Sequence, residues 1–235
     1  MTMIVRNLQL VRDRITTACM AAGRQPDSVR LLAVSKTFGV DAVLQAATDG
    51  QRSFGENYIA EGVEKITALP SLLPAGVSLE WHCIGPVQSN KTRLVAEHFD
   101  WVQSVDRLKI AQRLSEQRPA GLAPLQICIQ VNIDGGASKS GVAPADALAL
   151  AQEVSKLPRL QLRGLMAIPE PAPDFIAACA VHQRVRELFD QINRAGTLPA
   201  AMDTLSLGMT ADLEAAIQAG STMVRVGTAI FGGRS

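Results

Sequence analysis

Between residues 31 and 226 the chain alternates: short, branched apolar runs of strand length are followed by stretches with apolar side chains at helical spacing. The strand-like runs fall at 31–35, 52–54, 80–85, 101–104, 125–133, 160–167, 203–206 and 222–226. The helical stretches fall at 40–49, 57–68, 88–98, 107–117, 143–156, 174–195 and 210–219. Roughly eight strands separated by helices predict a parallel α/β fold, since parallel neighbours need a crossover of helix length. Residues 125–133 are nearly all apolar, as suits a strand covered on both faces. A further amphipathic helix over 3–22 opens the chain, with Ile4, Leu8, Val11, Ile15 and Cys19 on one face.

The 235 residues fit one (β/α)8 TIM-type barrel with an extra N-terminal helix, a fold that runs to roughly 250 residues. The Pro-rich patches at 70–74 and 169–173 are short and read as loops, so residues 1–235 are expected to form a single domain. A doubly wound open sheet is the competing arrangement. No G-x-G-x-x-G follows the first strand, which weakens its dinucleotide-binding form.

Composition narrows the function classes. The chain is 47% hydrophobic and 19% charged, enough for a sizeable core. A net charge of +1 gives no general electrostatic reason to expect nucleic acid or an anionic membrane as partner. Cys19, Cys83, Cys128 and Cys179 are far apart and form no C-x-x-C pair, which argues against a disulfide framework or a zinc site. No stretch approaches the ~18 apolar residues of a membrane span, and the N-terminus lacks a signal-peptide core. A soluble cytoplasmic protein is expected.

Lys36 ends the first strand run. In a barrel that position faces the active-site mouth, where desolvation would make the amine a nucleophile toward an aldehyde. A surface lysine starting a loop is the plainer reading. The segments Leu205-Ser206-Leu207-Gly208-Met209-Thr210 and Val226-Gly227-Thr228 would end strands seven and eight, whose loops commonly bind phosphate in barrels. The glycines can equally make turns, and Thr210 can be a helix N-cap. Arg225 lies inside an apolar strand and needs a partner, either a ligand group or a carboxylate. Asn57 ends the second strand. His82 reads equally as a hydrogen-bonded core histidine or a base, and Met166 as support for a flat ring or as core.

With these residues assembled, the chain resembles the pyridoxal phosphate homeostasis protein family, whose members are similar to the barrel domain of bacterial alanine racemase. The resemblance rests on ordered blocks along nearly the whole chain: Ala33-Val34-Ser35-Lys36-Thr37, Phe54-Gly55-Glu56-Asn57-Tyr58, Trp81-His82 with Ile84-Gly85, Val131-Asn132, Lys139-Ser140-Gly141, Gly164-Leu165-Met166, Leu205-Ser206, Gly208-Met209, and Gly220-Ser221-Thr222 to Arg225 and Gly227. It implies a fold-type III barrel that binds pyridoxal 5'-phosphate (PLP) as a Schiff base on Lys36. It further implies Ser206, Thr210, Gly227 and Thr228 around the phosphate, Arg225 facing the pyridine nitrogen, and Asn57 and Met166 near the ring. Three positions depart from the family pattern. Cys83 replaces an aromatic, Thr210 replaces serine, and the loop after Asn132 lacks the usual glutamate, which leaves Lys139 without that charge partner.

The resemblance implies a carrier that buffers or delivers PLP, with PLP-dependent apoenzymes as recipients. A PLP-dependent racemase is the alternative, but the second domain that supplies its other base is expected to be absent, and Tyr58 is the sole tyrosine. A phosphosugar enzyme would explain only the phosphate loops. A monomer is expected. Lys139 can act as a second amine accepting the aldehyde, or as a loop charge that steers the phosphate.

Overall fold

The computed structural model describes residues 2–136 and 139–233. Ala137 and Ser138 of the loop before Lys139, and Ser235, lie outside them. The strands are β1 (Arg30–Val34), β2 (Ser53–Glu56), β3 (Glu80–Cys83), β4 (Trp101–Val105), β5 (Leu125–Val131), β6 (Leu160–Ala167), β7 (Thr204–Ser206) and β8 (Met223–Val226). They form a closed barrel in chain order, and parallel pairing of β8 with β1 (Ala33 opposite Val226) completes the circle. The closed sheet settles the choice against an open, doubly wound one.

The helices are α1 (Met3–Ala21), α2 (Val40–Thr48), α3 (Ile59–Ala68), α4 (Thr92–His98), α5 (Leu108–Gln117), α6 (Pro144–Ser155), α7 (Phe175–Arg194), α8 (Leu213–Gln218) and α9 (Thr228–Phe231). Thr2 caps α1 by accepting the Val5 N–H, and the expected face from Ile4 to Cys19 is buried, packed with α8 and α9. Two helices start later than their periodicity predicts. Residues 88–91 form a turn closed by the Lys91 N–H on the Gln88 carbonyl. Ahead of α8, Asp212 accepts the Met209 N–H at 2.7 Å and holds residues 209–212 as a loop. The four-residue α9 is too short to carry a periodic signal.

Alternation along each strand sends one set of side chains outward and the other into the barrel. The outward set, including Ala33, Phe54, Ile127, Leu165 and Val224, joins the large core under the helices. Inside, Leu32, Val34, Ile84 and Met223 form one apolar cluster and Trp101, Cys128 and Met166 another. Polar His82, Gln103, Ser206 and Arg225 are buried with them. Cys19, Cys83, Cys128 and Cys179 are free thiols, the first three buried. Among the described residues, no helix is long and apolar enough to cross a membrane, and no group of His, Cys, Asp or Glu could hold a metal ion.

Candidate functional site

A cavity of about 390 Å³ opens at the C-terminal ends of the strands. Its wall contains Lys36, Asn57, Thr210, Arg225, Gly227 and Thr228 together, drawn from the ends of β1, β2, β7 and β8. Met166 and Ser206 do not line it. Met166 is buried against Trp101 and Cys128, and Ser206 is buried beside Arg225. Both point inward as their strands require, but one layer deeper: they pair with each other in register, and Ser206 with Met223.

The backbone at Lys36 is held from behind. Thr37 has φ 68°, a left-handed conformation that for a β-branched residue costs of order 1–3 kcal/mol. Its N–H donates to Glu61 Oε1 at 2.6 Å. Lys65 Nζ, buried under α3, donates to the Ser35 carbonyl (2.7 Å), Glu56 Oε1 (2.7 Å) and Glu61 Oε1 (2.6 Å). The Ser35 hydroxyl donates to Glu56 Oε1 at 2.6 Å. The residues either side of Lys36 are therefore clamped by one buried charge network on the outer face of the sheet. Burial pushes the Glu56 carboxyl above the usual range, against the pull of its bonds from Lys65 and Ser35. Sequence reasoning missed this clamp. Its one local trace is the Glu61–Lys65 pair at i, i+4.

Asn57 sits where β2 leaves the barrel. A Cβ on Gly85 would lie 2.2 Å from the Asn57 carbonyl oxygen, so only glycine lets the two chains approach this closely. Asn57 Oδ1 is buried without a hydrogen-bond partner. A buried acceptor left open is costly, and on a cavity wall it invites a ligand donor.

Arg225 meets its need for partners through neutral acceptors. Nη1 donates to the Ser206 carbonyl and hydroxyl, both at 2.7 Å, and Nη2 to the Ala167 carbonyl at 2.8 Å. Burial lowers its pKa to about 10, with Asp212 pulling the other way, so it stays protonated at neutral pH. Asp212 also accepts from His182 at 2.9 Å and fixes the β7–α8 loop that carries Thr210. Gly208, at φ 87°, starts that loop, and a Cβ there would lie 2.5 Å from that of Ala216. At the other edge the first intrahelical bonds of α9 run from Ile230 and Phe231 to Gly227, leaving the preceding N–H groups, as at any helix start, for other acceptors.

His82 resolves to the core reading, fully buried with both ring nitrogens hydrogen-bonded. Lys139 lies on the mouth side but off the cavity wall. Its expected lack of a charge partner is corrected: Glu170, in the loop after β6, pairs with it at 2.9 Å.

A closed (β/α)8 barrel with a lysine after β1, an arginine inside β8 and hydroxyl- and glycine-bearing loops after β7 and β8 defines a class. Residues 6–235 match the family model for the alanine racemase N-terminal domain. Within that class, the chain belongs to the pyridoxal phosphate homeostasis protein family. The homeostasis protein of Pseudomonas aeruginosa is 56% identical over 234 residues, covering 100% of this chain and 97% of the relative. That of Haemophilus influenzae is 53% identical over 233 residues, covering 99% and 96%. The solved structure of PipY from Synechococcus elongatus, with PLP bound, is 33% identical with a TM-score of 0.82 and covers 97% of this chain and 100% of PipY.

Proposed function

We propose that the cavity binds PLP as a Schiff base on Lys36 and that the protein buffers or delivers this cofactor inside the cell, without catalytic turnover. The observation that carries this reading is the convergence of Lys36, Asn57, Thr210, Arg225, Gly227 and Thr228 on one wall. Each matches a different part of the molecule. The Lys36 amine meets the aldehyde, the Thr210 hydroxyl and the N–H groups after Gly227 meet the phosphate, and Arg225 faces the pyridine nitrogen. The open acceptor of Asn57 suits a donor on the ring. PLP bound in PipY supports the assignment.

The ionisable residues on the wall also support a carrier over a racemase. Two-base racemisation needs an acid or base on each face of the substrate. Among the described residues, Lys36 and Arg225 are the ionisable groups of the wall, and a guanidinium that stays protonated is no base. Tyr58 is 52% exposed and off the wall. An arginine at the pyridine nitrogen also keeps that nitrogen unprotonated and weakens the ring as an electron sink. A carrier of this kind would hand PLP to apoenzymes.

Borohydride reduction of the purified, PLP-loaded protein, followed by peptide mapping, tests the reading. A pyridoxyl adduct on Lys36 is expected. An adduct found only on other lysines would overturn it.

A further inference from the structure

We propose that Gln103 and His82 are positioning residues for Arg225, linked to it by a polarised hydrogen-bond chain that crosses the barrel from its N-terminal end to the cavity. The proposal rests on the reading that the cavity takes PLP with Arg225 at the ring nitrogen.

The chain is continuous. Arg225 Nη1 donates to Ser206 Oγ at 2.7 Å, and the Ser206 hydroxyl to Gln103 Oε1 at 2.7 Å. Gln103 Nε2 meets His82 Nδ1 at 2.9 Å, and His82 Nε2 meets Glu80 Oε1 at 2.8 Å. Glu80 opens β3 at the far end of the barrel, where it also accepts from Arg30 at 2.8 Å. His82, Gln103 and Ser206 are fully buried, and Arg225 is 3% exposed.

The two ends fix every proton between them. Arginine only donates and an ionised carboxylate only accepts. Burial favours the neutral form of His82. With Glu80 accepting, the ring proton is on Nε2 and Nδ1 is an acceptor. Gln103 must then turn its amide N–H toward His82 and its carbonyl toward Ser206. Ser206 must donate to that carbonyl, which leaves its oxygen lone pairs to Arg225. The second Gln103 N–H points to Met223 Sδ at 3.1 Å. His82 is held flat on Trp101, with ring centroids 5.0 Å apart, and the Arg163 guanidinium covers Trp101 at 4.9 Å. Each donor in the string points from the cavity to the far rim.

An apolar interior would need none of this, and buried polar groups are tolerated only when each finds a partner. The string orients Arg225 through neutral acceptors, with Asp212 acting on it through charge but not as a hydrogen-bond partner, so its positive charge is not cancelled by an ion pair. Gln103 sets this orientation through Ser206, and His82 sets Gln103.

Gln103→Leu cuts the string in the middle. It should still give the pyridoxyl adduct on Lys36. PLP affinity should fall about fivefold, the scale of one net hydrogen bond. The pH midpoint of the visible Schiff-base band should rise, because a guanidinium held only through its bonds to the Ser206 and Ala167 carbonyls is less firmly directed at the ring and opposes protonation of the imine less. A merely structural Gln103 would lower the melting temperature and leave midpoint and affinity unchanged, which overturns the proposal. If Gln103→Leu does not fold, Ser206→Ala, which removes one hydroxyl, carries the same test with the same outcomes. Absence of the Lys36 adduct in wild type would instead refute the PLP reading itself.

Discussion

The two ends of the barrel differ in the size of their cavities and in the polar groups they leave open. The N-terminal end has the larger cavity, about 980 Å³, with Arg30, Arg52, Arg118, Arg163, Glu80 and Asp100 in its wall. Its charges are satisfied within the protein. Arg30 pairs with Glu80 at 2.8 Å and Arg163 with Asp203 at 2.7 Å, while Arg118 donates to the carbonyls of Ala96, Phe99 and Ala123. The C-terminal cavity is less than half that size. Its ionisable described groups are the basic residues Lys36 and Arg225, the latter bonded to three protein oxygens, the backbone beside it is strained at Thr37, and the Asn57 acceptor is open. On the proposed reading, the smaller cavity and not the larger one takes the ligand. The open Asn57 acceptor marks the mouth, the end of a barrel opposite its stability face.

The contrast breaks most readily behind the mouth. Lys65→Met would leave Glu56 buried without its cation, a loss of about 3–5 kcal/mol of folding stability by urea denaturation. Arg30→Ala, at the opposite end, breaks a pair whose side chains are 48% and 34% exposed and should cost only about 0–1 kcal/mol. Equal losses from the two variants would show that the clamp under Lys36 is no more than a surface ion pair.

Ligand binding sharpens the same contrast. Thr210→Val keeps volume and removes a hydroxyl from the wall. A charge-assisted hydrogen bond to phosphate is worth about 1.5–3 kcal/mol, so PLP affinity should fall at least tenfold with little change in melting temperature. Titration at wild-type affinity would move the phosphate away from the β7–α8 loop.

Much of this was legible in the sequence, for reasons that also set its limits. The alternation of strand and helix runs placed the strands and put Lys36 at a strand end, hence at the mouth. Arg225, by contrast, read from the residues only as a buried arginine needing a partner, and took its place in the site from the family resemblance. Depth was not legible. Register between strands decides whether an inward residue reaches the wall or stops a layer below, and it put Ser206 and Met166 below. Contacts between distant segments carry no local period either. Glu56 reads as a strand-end residue until α3 lays Lys65 over it, and Glu170 as a loop residue until it meets Lys139. The string from Glu80 to Arg225 joins four strands, β3, β4, β7 and β8, and only the closed barrel brings them together.

The smallest effect expected is at the N-terminal end and depends on pH. Burial pushes the Glu80 carboxyl up, but the hydrogen bond and charge of His82 and the charge of Arg30 outweigh it and hold the group well below the usual range. The His82 ring is itself held neutral by burial, so its hydrogen bond and Arg30 are the contributions that persist at neutral pH. A carboxyl depressed in the folded state stabilises fully above its unfolded pKa of about 4.3 and loses that contribution as pH falls below it. Glu80→Gln removes the titration while keeping an acceptor for His82. Urea unfolding at pH 5 and at pH 3 should therefore show a smaller loss of stability for Glu80→Gln than for wild type. The gap should be modest, because the Glu80 side chain is 34% exposed and solvent screens it. Parallel losses would mean that Glu80 titrates normally, and that the far end of the string is anchored by geometry alone.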